Sequence, residues 1–241
     1  MKILSIGNSF SQDAQRYLKK IADSEGVDMK TVNLYIGGCS LETHFNNILN
    51  DAPDYDYQLN GKPENRNISI REALESDSWD YITLQQASHF SFDFNTYDPY
   101  LEEISAYLKK NAPGAKQVIH QTWNYADDSP RLNGELPFKT GDEMFKPVEE
   151  AYDKAAKLLN LPLIPSGKIF YECRHNGIEP LYRDGFHASF GLGRFILGCV
   201  WFEFFTGKRV SEIDFSDFDE PVDLIMKKKA LEITDRYFEN I

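Results

Sequence analysis

The most informative stretch of the sequence is residues 2–11, which read KILSIGNSFS. The apolar run up to Ile6 predicts a short buried strand that ends at Gly7. Apolar residues then recur at the three-and-four spacing of one helix face between Ala14 and Ala22, and Gly26 ends that predicted helix. The sequence therefore starts with a strand followed directly by a helix.

The same alternation continues along the chain. Apolar runs predict strands at 31–36, 79–84, 117–120 and 161–164, and apolar residues at helical spacing predict helices at 41–49, 100–108, 148–159 and 224–237. Residues 195–205 are so apolar that they predict either a buried helix or a buried strand. This order predicts an α/β fold, a three-layer α/β/α sandwich around a mostly parallel, flavodoxin-like sheet.

The composition indicates one large domain over residues 1–241, with a loop or hairpin insertion at 51–68 around the turn signal Asn60-Gly61. The net charge of −12 argues against a nucleic-acid or membrane partner, and it favours a neutral substrate over a strongly anionic one. Three cysteines without CxxC spacing predict neither disulfides nor a zinc site. We expect no metal and no cofactor. The oligomeric state is left open.

The expected localisation is the cytoplasm for the sequence as written, because the apolar run near Met1 is too short for a signal peptide and no stretch reaches transmembrane length. If a leader has been removed, secretion or the periplasm becomes the expectation.

Ser9 lies where the first predicted strand ends and the first helix begins. A serine at such a turn is close to unpaired backbone N–H groups and to the positive end of the helix dipole, which suit an activated nucleophile. The alternative is that Ser9 or Ser11 merely caps the helix, with Gln12 completing a capping box from Ser9. Taken alone, the capping role is the more common one.

A second candidate segment is Arg-Asp-Gly-Phe-His at residues 183–187. A serine nucleophile needs a base, and the base needs an orienting carboxylate; His187 and Asp184 can supply both from one loop, in which Gly185 allows the bend. The alternative is that His187 only belongs to the start of a helix.

Donors for an oxyanion are expected at the ends of the neighbouring strands. The backbone N–H groups of Ser9 and of the pair Gly37-Gly38 lie at such ends, and so do the side-chain amides of Gln85 and Gln86. Each feature alone is common, since glycine pairs form turns and glutamines are often solvated. Their occurrence in chain order at successive strand ends favours a hydrolase site.

Gly7-Asn8-Ser9 and Asp184-Gly185-Phe186-His187 resemble the first and last motif blocks of the SGNH, or GDSL-type, hydrolase superfamily. The resemblance spans most of the chain, and only the combination of the two short blocks is specific. It implies that Ser9 is the nucleophile, His187 the base and Asp184 its partner, with Gly38 as a backbone oxyanion donor and Gly37 as the alternative.

The sequence departs from the family pattern in two places. Asn8 stands where the family usually has Asp. The third block, Gly-x-Asn-Asp, is missing, and Gln85-Gln86 stands in its region. The resemblance therefore implies a divergent bacterial branch, with Gln85 or Gln86 in place of the asparagine donor.

The function expected from these features is a serine-dependent ester hydrolase that removes a small acyl group, such as acetyl, from a carbohydrate. Aromatic side chains follow the third and fourth strands, and we expect Trp123 and His44 to line the substrate pocket. The alternative is a non-catalytic carbohydrate-binding protein on the same fold. A flavodoxin-like nucleotide-binding module has less support, because Gly191-Leu192-Gly193 lacks a third glycine and a preceding strand.

Overall fold

The computed structural model describes residues 1–132 and 134–240. Within them, the strands are β1 (Lys2–Gly7), β2 (Lys30–Tyr35), β3 (Tyr55–Leu59), β4 (Lys62–Ile68), β5 (Tyr81–Leu84), β6 (Lys116–His120) and β7 (Leu163–Ile164). They form one sheet in the order β4-β3-β2-β1-β5-β6-β7. The pairs from β2 to β7 are parallel, and β3 and β4 add an antiparallel hairpin at one edge.

The helices of the described residues are α1 (Ser9–Gln15), α2 (Leu18–Ser24), α3 (Leu41–Asn50), α4 (Ile70–Glu75), α5 (Tyr100–Asn111), α6 (Gly141–Leu159), α7 (Ser166–His175), α8 (Leu192–Thr206) and α9 (Leu224–Glu239), with a short 3₁₀ helix at Phe94–Tyr97. Helices α1, α2, α7, α8 and α9 pack together, and α3, α4, α5 and α6 form a second group. This mixed sheet flanked by helices confirms the predicted α/β class. None of the described helices is long and apolar enough to cross a membrane.

The hairpin of β3 and β4 occupies most of segment 51–68. Asn60 and Gly61 form its turn with positive φ angles of 50° and 75°, which is the geometry that Asn-Gly favours. A Cβ on Gly61 would lie 2.8 Å from the backbone of Arg16, so the turn packs directly on the first helical segment.

The helix predicted from Ala14 to Ala22 is two helices, because the chain breaks between α1 and α2 at Arg16 and Tyr17. The turn at Gly61 packs against this break, and Arg16 Nη1 donates to Gly61 O at 3.3 Å. A contact between segments 45 residues apart in sequence cannot be read from a periodic pattern.

The apolar segment 195–205 is part of helix α8, which is buried on nearly its whole circumference. A helix that is apolar all round has no periodicity to distinguish it from a strand. Gly193 near its start allows a close approach, since a Cβ there would lie 2.4 Å from Leu181 O. The Gly-Leu-Gly sequence therefore serves helix packing.

Candidate active site

The first turn of α1 is capped by Asn8 and not by Ser9. Phe10 N donates to Asn8 Oδ1 at 2.9 Å, and Asn8 N donates to Ser11 Oγ at 3.1 Å. This is a capping box, and it uses the residues on either side of Ser9. The Ser9 hydroxyl therefore remains available for another partner.

That partner is His187. Ser9 Oγ lies 2.9 Å from His187 Nε2, and His187 Nδ1 lies 2.7 Å from Asp184 Oδ2. Since an ionised carboxylate only accepts, Nδ1 carries a proton and donates to Asp184, which leaves Nε2 to accept the Ser9 proton. The fold thus brings together three side chains from both ends of the sequence in the order hydroxyl, imidazole, carboxylate.

The loop that carries Asp184 and His187 has a fixed shape. Gly185 has a φ of 86°, and a Cβ there would lie 2.8 Å from Ser129 Cα. Asp184 Oδ1 accepts from the backbone N–H of His187 at 2.8 Å. Burial opposes ionisation of Asp184, but the hydrogen bonds from the His187 side chain and backbone outweigh it and lower the pKa of Asp184 below its usual value.

A buried carboxylate joins this loop to the helix of the serine. Asp13, one turn after Ser9 on α1, lies within 2.9 Å of Arg183 Nη1 and 2.7 Å of Arg194 Nε. It also accepts from Ala188 N at 3.1 Å, immediately after His187. One short helix therefore fixes both Ser9 and the segment that bears the imidazole.

Gly38, predicted as a backbone donor to the oxyanion, lies beside Ser9 in the cleft. It has a φ of 65° in the turn closed by Cys39 N donating to Ile36 O, and it lines the same cleft as Ser9. Asn8 Nδ2 donates to Cys39 O at 3.1 Å, which ties this turn to the start of α1. The N–H of Ser9 is the first amide of a helix and has no intrahelical acceptor. Backbone N–H groups are the kind of donor that an oxyanion needs.

The expectation for Gln85 is wrong. Its Nε2 donates to Asn8 Oδ1 at 2.6 Å, and its Oε1 accepts from His120 Nδ1 at 2.6 Å. Burial lowers the pKa of His120 to about 3, so this imidazole is neutral. Gln85 does not line the cleft. Instead, its side chain binds the side chain of Asn8, the residue before Ser9.

The expectation for Gln86 is also wrong. Its Oε1 accepts from Leu41 N at 2.9 Å, and its Nε2 donates to Thr96 O at 2.9 Å. Both polar ends of the side chain are used to join α3 to the loop after β5. Successive residues at a strand end point to opposite faces of the sheet, and here both faces are buried.

Trp123 and His44 do not line the cleft either, because both are fully buried. The Trp123 indole packs 4.2 Å from the Phe10 ring and donates to Phe186 O at 2.8 Å, so it supports the neighbours of Ser9 and His187. His44 stacks on Tyr55 with Nδ1 2.9 Å from its hydroxyl, and burial lowers the pKa of His44 to about 3.

The cleft at Ser9 has a volume of about 350 Å³. Besides Ser9 and His187, its walls include Tyr35, Gly37, Gly38, Ser88, His89, Arg131, Arg183 and Phe186. A larger cavity of about 530 Å³ meets the same loop at Arg183, Asp184 and Gly185, but Ser9 does not line it. In the described part of the chain, no group of three or more His, Cys, Asp or Glu side chains is placed to hold a metal ion.

Sequence reasoning missed Asp13, His89 and the importance of Arg131. Asp13 does carry a signal, since it lies three residues after Phe10 and four before Tyr17, on a helix face that is otherwise apolar. A charged side chain on a buried face must be paired, but the sequence does not name the partner. His89 and Arg131 lie in loops whose path no periodic pattern defines.

Comparison with known proteins places this site in context. The family described as "Domain of unknown function (DUF4886)" matches residues 2–224. A crystal structure of a DUF4886 family protein from Bacteroides uniformis is 36% identical, with a TM-score of 0.90 over 99% of this chain and 95% of that chain. No curated protein matches the chain.

Two further solved structures are hydrolases by their descriptions. A candidate SGNH hydrolase from Slackia heliotrinireducens is 25% identical, with a TM-score of 0.58 over 84% of this chain and 97% of that chain. An acetyl xylan esterase, AlAXEase, is 13% identical, with a TM-score of 0.56 over 83% of this chain and 98% of that chain. The second likeness concerns the fold alone.

Proposed function

The chain belongs to the DUF4886 family, a divergent branch of the SGNH (GDSL-type) hydrolase superfamily, and on this premise we propose that it is a serine-dependent ester hydrolase that removes a small acyl group, such as acetyl, from a carbohydrate. The observation that carries the proposal is the chain of contacts from Ser9 Oγ to His187 Nε2 at 2.9 Å and from His187 Nδ1 to Asp184 Oδ2 at 2.7 Å.

In the acylation step, Ser9 Oγ attacks the ester carbonyl carbon while its proton passes to His187 Nε2. Asp184 stabilises the imidazolium that forms. The tetrahedral intermediate then collapses: the bond to the alcohol oxygen breaks, and His187 returns its proton to that oxygen. The sugar hydroxyl leaves, and the acyl group remains on Ser9.

In the deacylation step, His187 takes a proton from water as the water oxygen attacks the acyl carbon. The bond to Ser9 Oγ breaks, the serine recovers the proton from His187, and the carboxylic acid is released. Each of the two tetrahedral intermediates carries an oxyanion. We assign the N–H groups of Ser9 and Gly38 as two of the hydrogen-bond donors to this oxyanion.

We assign the place of a third donor to His89. A Cβ on Gly38 would lie 3.8 Å from His89 Cε1, so the imidazole stands beside the Gly38 wall of the cleft. Burial, together with the charge of Arg131, lowers the pKa of His89, so the neutral ring with its one N–H is the form present at neutral pH. His89 lies in the segment after β5, as do Gln85 and Gln86, whose side chains point away from the cleft.

The carbohydrate part of the proposal is supported by the aromatic surfaces of the cleft. Tyr35 and Phe186 contribute to its walls, and Phe90 beside His89 is exposed. Flat apolar faces next to hydroxyl-binding groups suit sugar rings. The likeness in fold to an acetyl xylan esterase agrees with this choice.

The test is acetate release from acetylated xylo-oligosaccharides and from p-nitrophenyl acetate by the wild-type protein and the Ser9→Ala variant. We expect Ser9→Ala to lose essentially all turnover, while Ser24→Ala, a control hydroxyl at the far end of α2, keeps it. Unchanged turnover in Ser9→Ala would contradict the proposal.

The non-catalytic carbohydrate-binding alternative keeps one observation in its favour. The two glutamines that follow β5 face inward and give no donor to the cleft. That alternative predicts saturable binding of a sugar together with no acetate release and no labelling of Ser9 by a fluorophosphonate.

A further inference from the structure

The charge of the cleft differs from the charge of the chain. The whole sequence has a net charge of −12. Among the described residues that line the cleft, however, none is Asp or Glu, whereas Arg131 and Arg183 both are lining residues. The charged side chains that line the cleft and can contact a ligand there are therefore guanidinium groups.

Arg183 belongs to a cluster that carries an excess positive charge. Asp13 is shared between Arg183 and Arg194, and Arg194 also approaches Asp219 at 3.6 Å. Asp219 is itself held by two 2.6 Å hydrogen bonds from Arg16. Three guanidinium groups of this cluster thus share two carboxylates, and the further carboxylate nearby, Asp184, contacts His187 and does not line the cleft.

Arg131 is the second source of positive charge. Its guanidinium carbon lies 5.1 Å from the centre of the Phe186 ring, next to His187, and 5.8 Å from the Tyr125 ring. Its Nε donates to Glu135 at 2.7 Å, but the Glu135 side chain is 60% exposed, so water screens that ion pair. Its Nη1 lies 3.5 Å from the Tyr125 hydroxyl. A guanidinium beside aromatic faces can still donate to a planar anion in the cleft.

The local arrangement outweighs the net charge of the chain for a bound ligand. At physiological ionic strength the screening length is about 8 Å, so most of the surface carboxylates have little effect inside the cleft. A charge-assisted contact with a guanidinium a few ångströms away is screened much less.

We propose that the cleft binds the acylated form of an acidic sugar, whose ring carboxylate pairs with Arg131 while its ester carbonyl faces Ser9. This inference rests on the proposed esterase function and specifies its substrate class. It also reverses the preference for neutral substrates that the net charge predicts.

The test compares two acetylated sugars, methyl tri-O-acetylglucoside and its uronate counterpart, which differ only in a hydroxymethyl group against a carboxylate. Acetate release gives kcat/KM for each, and the ratio of the two values is the readout. We expect a ratio of about ten or more in favour of the uronate at low salt, decreasing as sodium chloride is added.

Variants locate the effect. Arg131→Gln should reduce the ratio about tenfold, and Arg131→Lys, which retains the charge without the planar edge, should reduce it less. Arg71→Gln is the matched control, because Arg71 is an exposed arginine paired with Asp51 on helix α4. It should leave the ratio unchanged.

The outcomes separate the two proposals. Ser9-dependent hydrolysis with a ratio near one, or a ratio that Arg131→Gln does not change, would overturn the acidic-sugar inference alone. Full acetate release by Ser9→Ala would overturn the serine mechanism. No release from either sugar by a wild-type protein that still hydrolyses p-nitrophenyl acetate would overturn the acidic-sugar inference alone.

Discussion

Two aspartates hold the loop around His187, and their surroundings are opposite. Asp13 is fully buried on α1 and balanced by the guanidinium groups of Arg183 and Arg194. Asp184 lies in the loop itself, with 41% of its side chain exposed, and contacts the imidazole directly. The difference shows two separate tasks: Asp13 positions the segment, and Asp184 orients the ring within it.

The two tasks predict opposite effects of removing each charge. A solvated carboxylate can be neutralised at little cost to folding, whereas a buried one leaves its cations without a partner. Asp184 should therefore matter mainly to the rate of the reaction, and Asp13 mainly to the stability of the fold.

The largest effect is expected for Asp184→Asn. The amide cannot hold the imidazole in the tautomer that accepts the serine proton, so kcat should fall by about ten thousandfold. The free energy of unfolding, measured in urea, should change by about 1 kcal/mol or less. Asp128→Asn, an exposed aspartate of a neighbouring loop, is the control and should change neither quantity. If Asp184→Asn lowered stability without lowering kcat, Asp184 would position the loop, as we propose for Asp13, and would not orient the imidazole.

Asp13→Asn should lower the free energy of unfolding by about 3–5 kcal/mol, because Arg183 and Arg194 lose the charge that balances them in the interior. Asp217→Asn breaks the surface ion pair between Lys20 and Asp217, and the Asp217 side chain is 74% exposed. This variant should lower the free energy of unfolding by about 1 kcal/mol or less. Urea titrations of both variants test the contrast. Equal and small losses would show that the buried cluster does not anchor the loop.

Gln85→Met distinguishes a residue that holds Asn8 from an oxyanion donor. It removes two buried hydrogen bonds and should lower the free energy of unfolding by about 1–3 kcal/mol, with kcat reduced less than about tenfold. A donor to the oxyanion would instead cost about a hundredfold to a thousandfold in kcat. A loss of a hundredfold or more in kcat in a folded Gln85→Met variant would show that Gln85 is an oxyanion donor after all.

Glu203 is a second buried carboxylate and, unlike Asp13, lies next to another acid. Burial, with the nearby charge of Asp235, raises the pKa of Glu203 to about 8. The folded protein keeps a proton there that the unfolded chain releases near pH 4.5, so this group makes the fold less stable as pH rises from about 4.5 to about 8.

Glu203→Gln should remove that part of the pH dependence. We expect it to match the wild-type protein at the acidic end of the range and to exceed it by at least about 1 kcal/mol near pH 8, since each pKa unit corresponds to about 1.4 kcal/mol. Unfolding free energies at the two pH values measure this. Parallel pH profiles for the two proteins would show that Glu203 is ionised in the fold.

The sequence was sufficient where the information is local. Most of the strand and helix order follows from periodicity, although α4 and α7 are not predicted. The segment 183–187 contains both a base and its carboxylate within four positions. Ser9 could be selected because it lies between the end of the first strand and the first helix. The Ser9 hydroxyl is not needed to cap α1, because Asn8 and Ser11 form the capping box. The sequence alone does not show which of these residues caps the helix.

The remaining site residues depend on contacts between distant segments. Gln85 and Gln86 were predicted to face the cleft because they follow a strand, but the direction of each side chain is set by Asn8, His120 and Thr96. Asp13 lies 170 positions from Arg183. Trp123 and His44 were predicted from residue type, which does not distinguish a ligand surface from an aromatic core.

The most direct test of the central claim is the reaction of the native protein with a fluorophosphonate, followed by intact mass measurement and peptide mapping. We predict one stoichiometric adduct on Ser9, formed much more slowly in His187→Ala and not at all in Ser9→Ala. No adduct on the folded wild-type protein, or an adduct on a different residue, would contradict the assignment of Ser9 as an activated nucleophile.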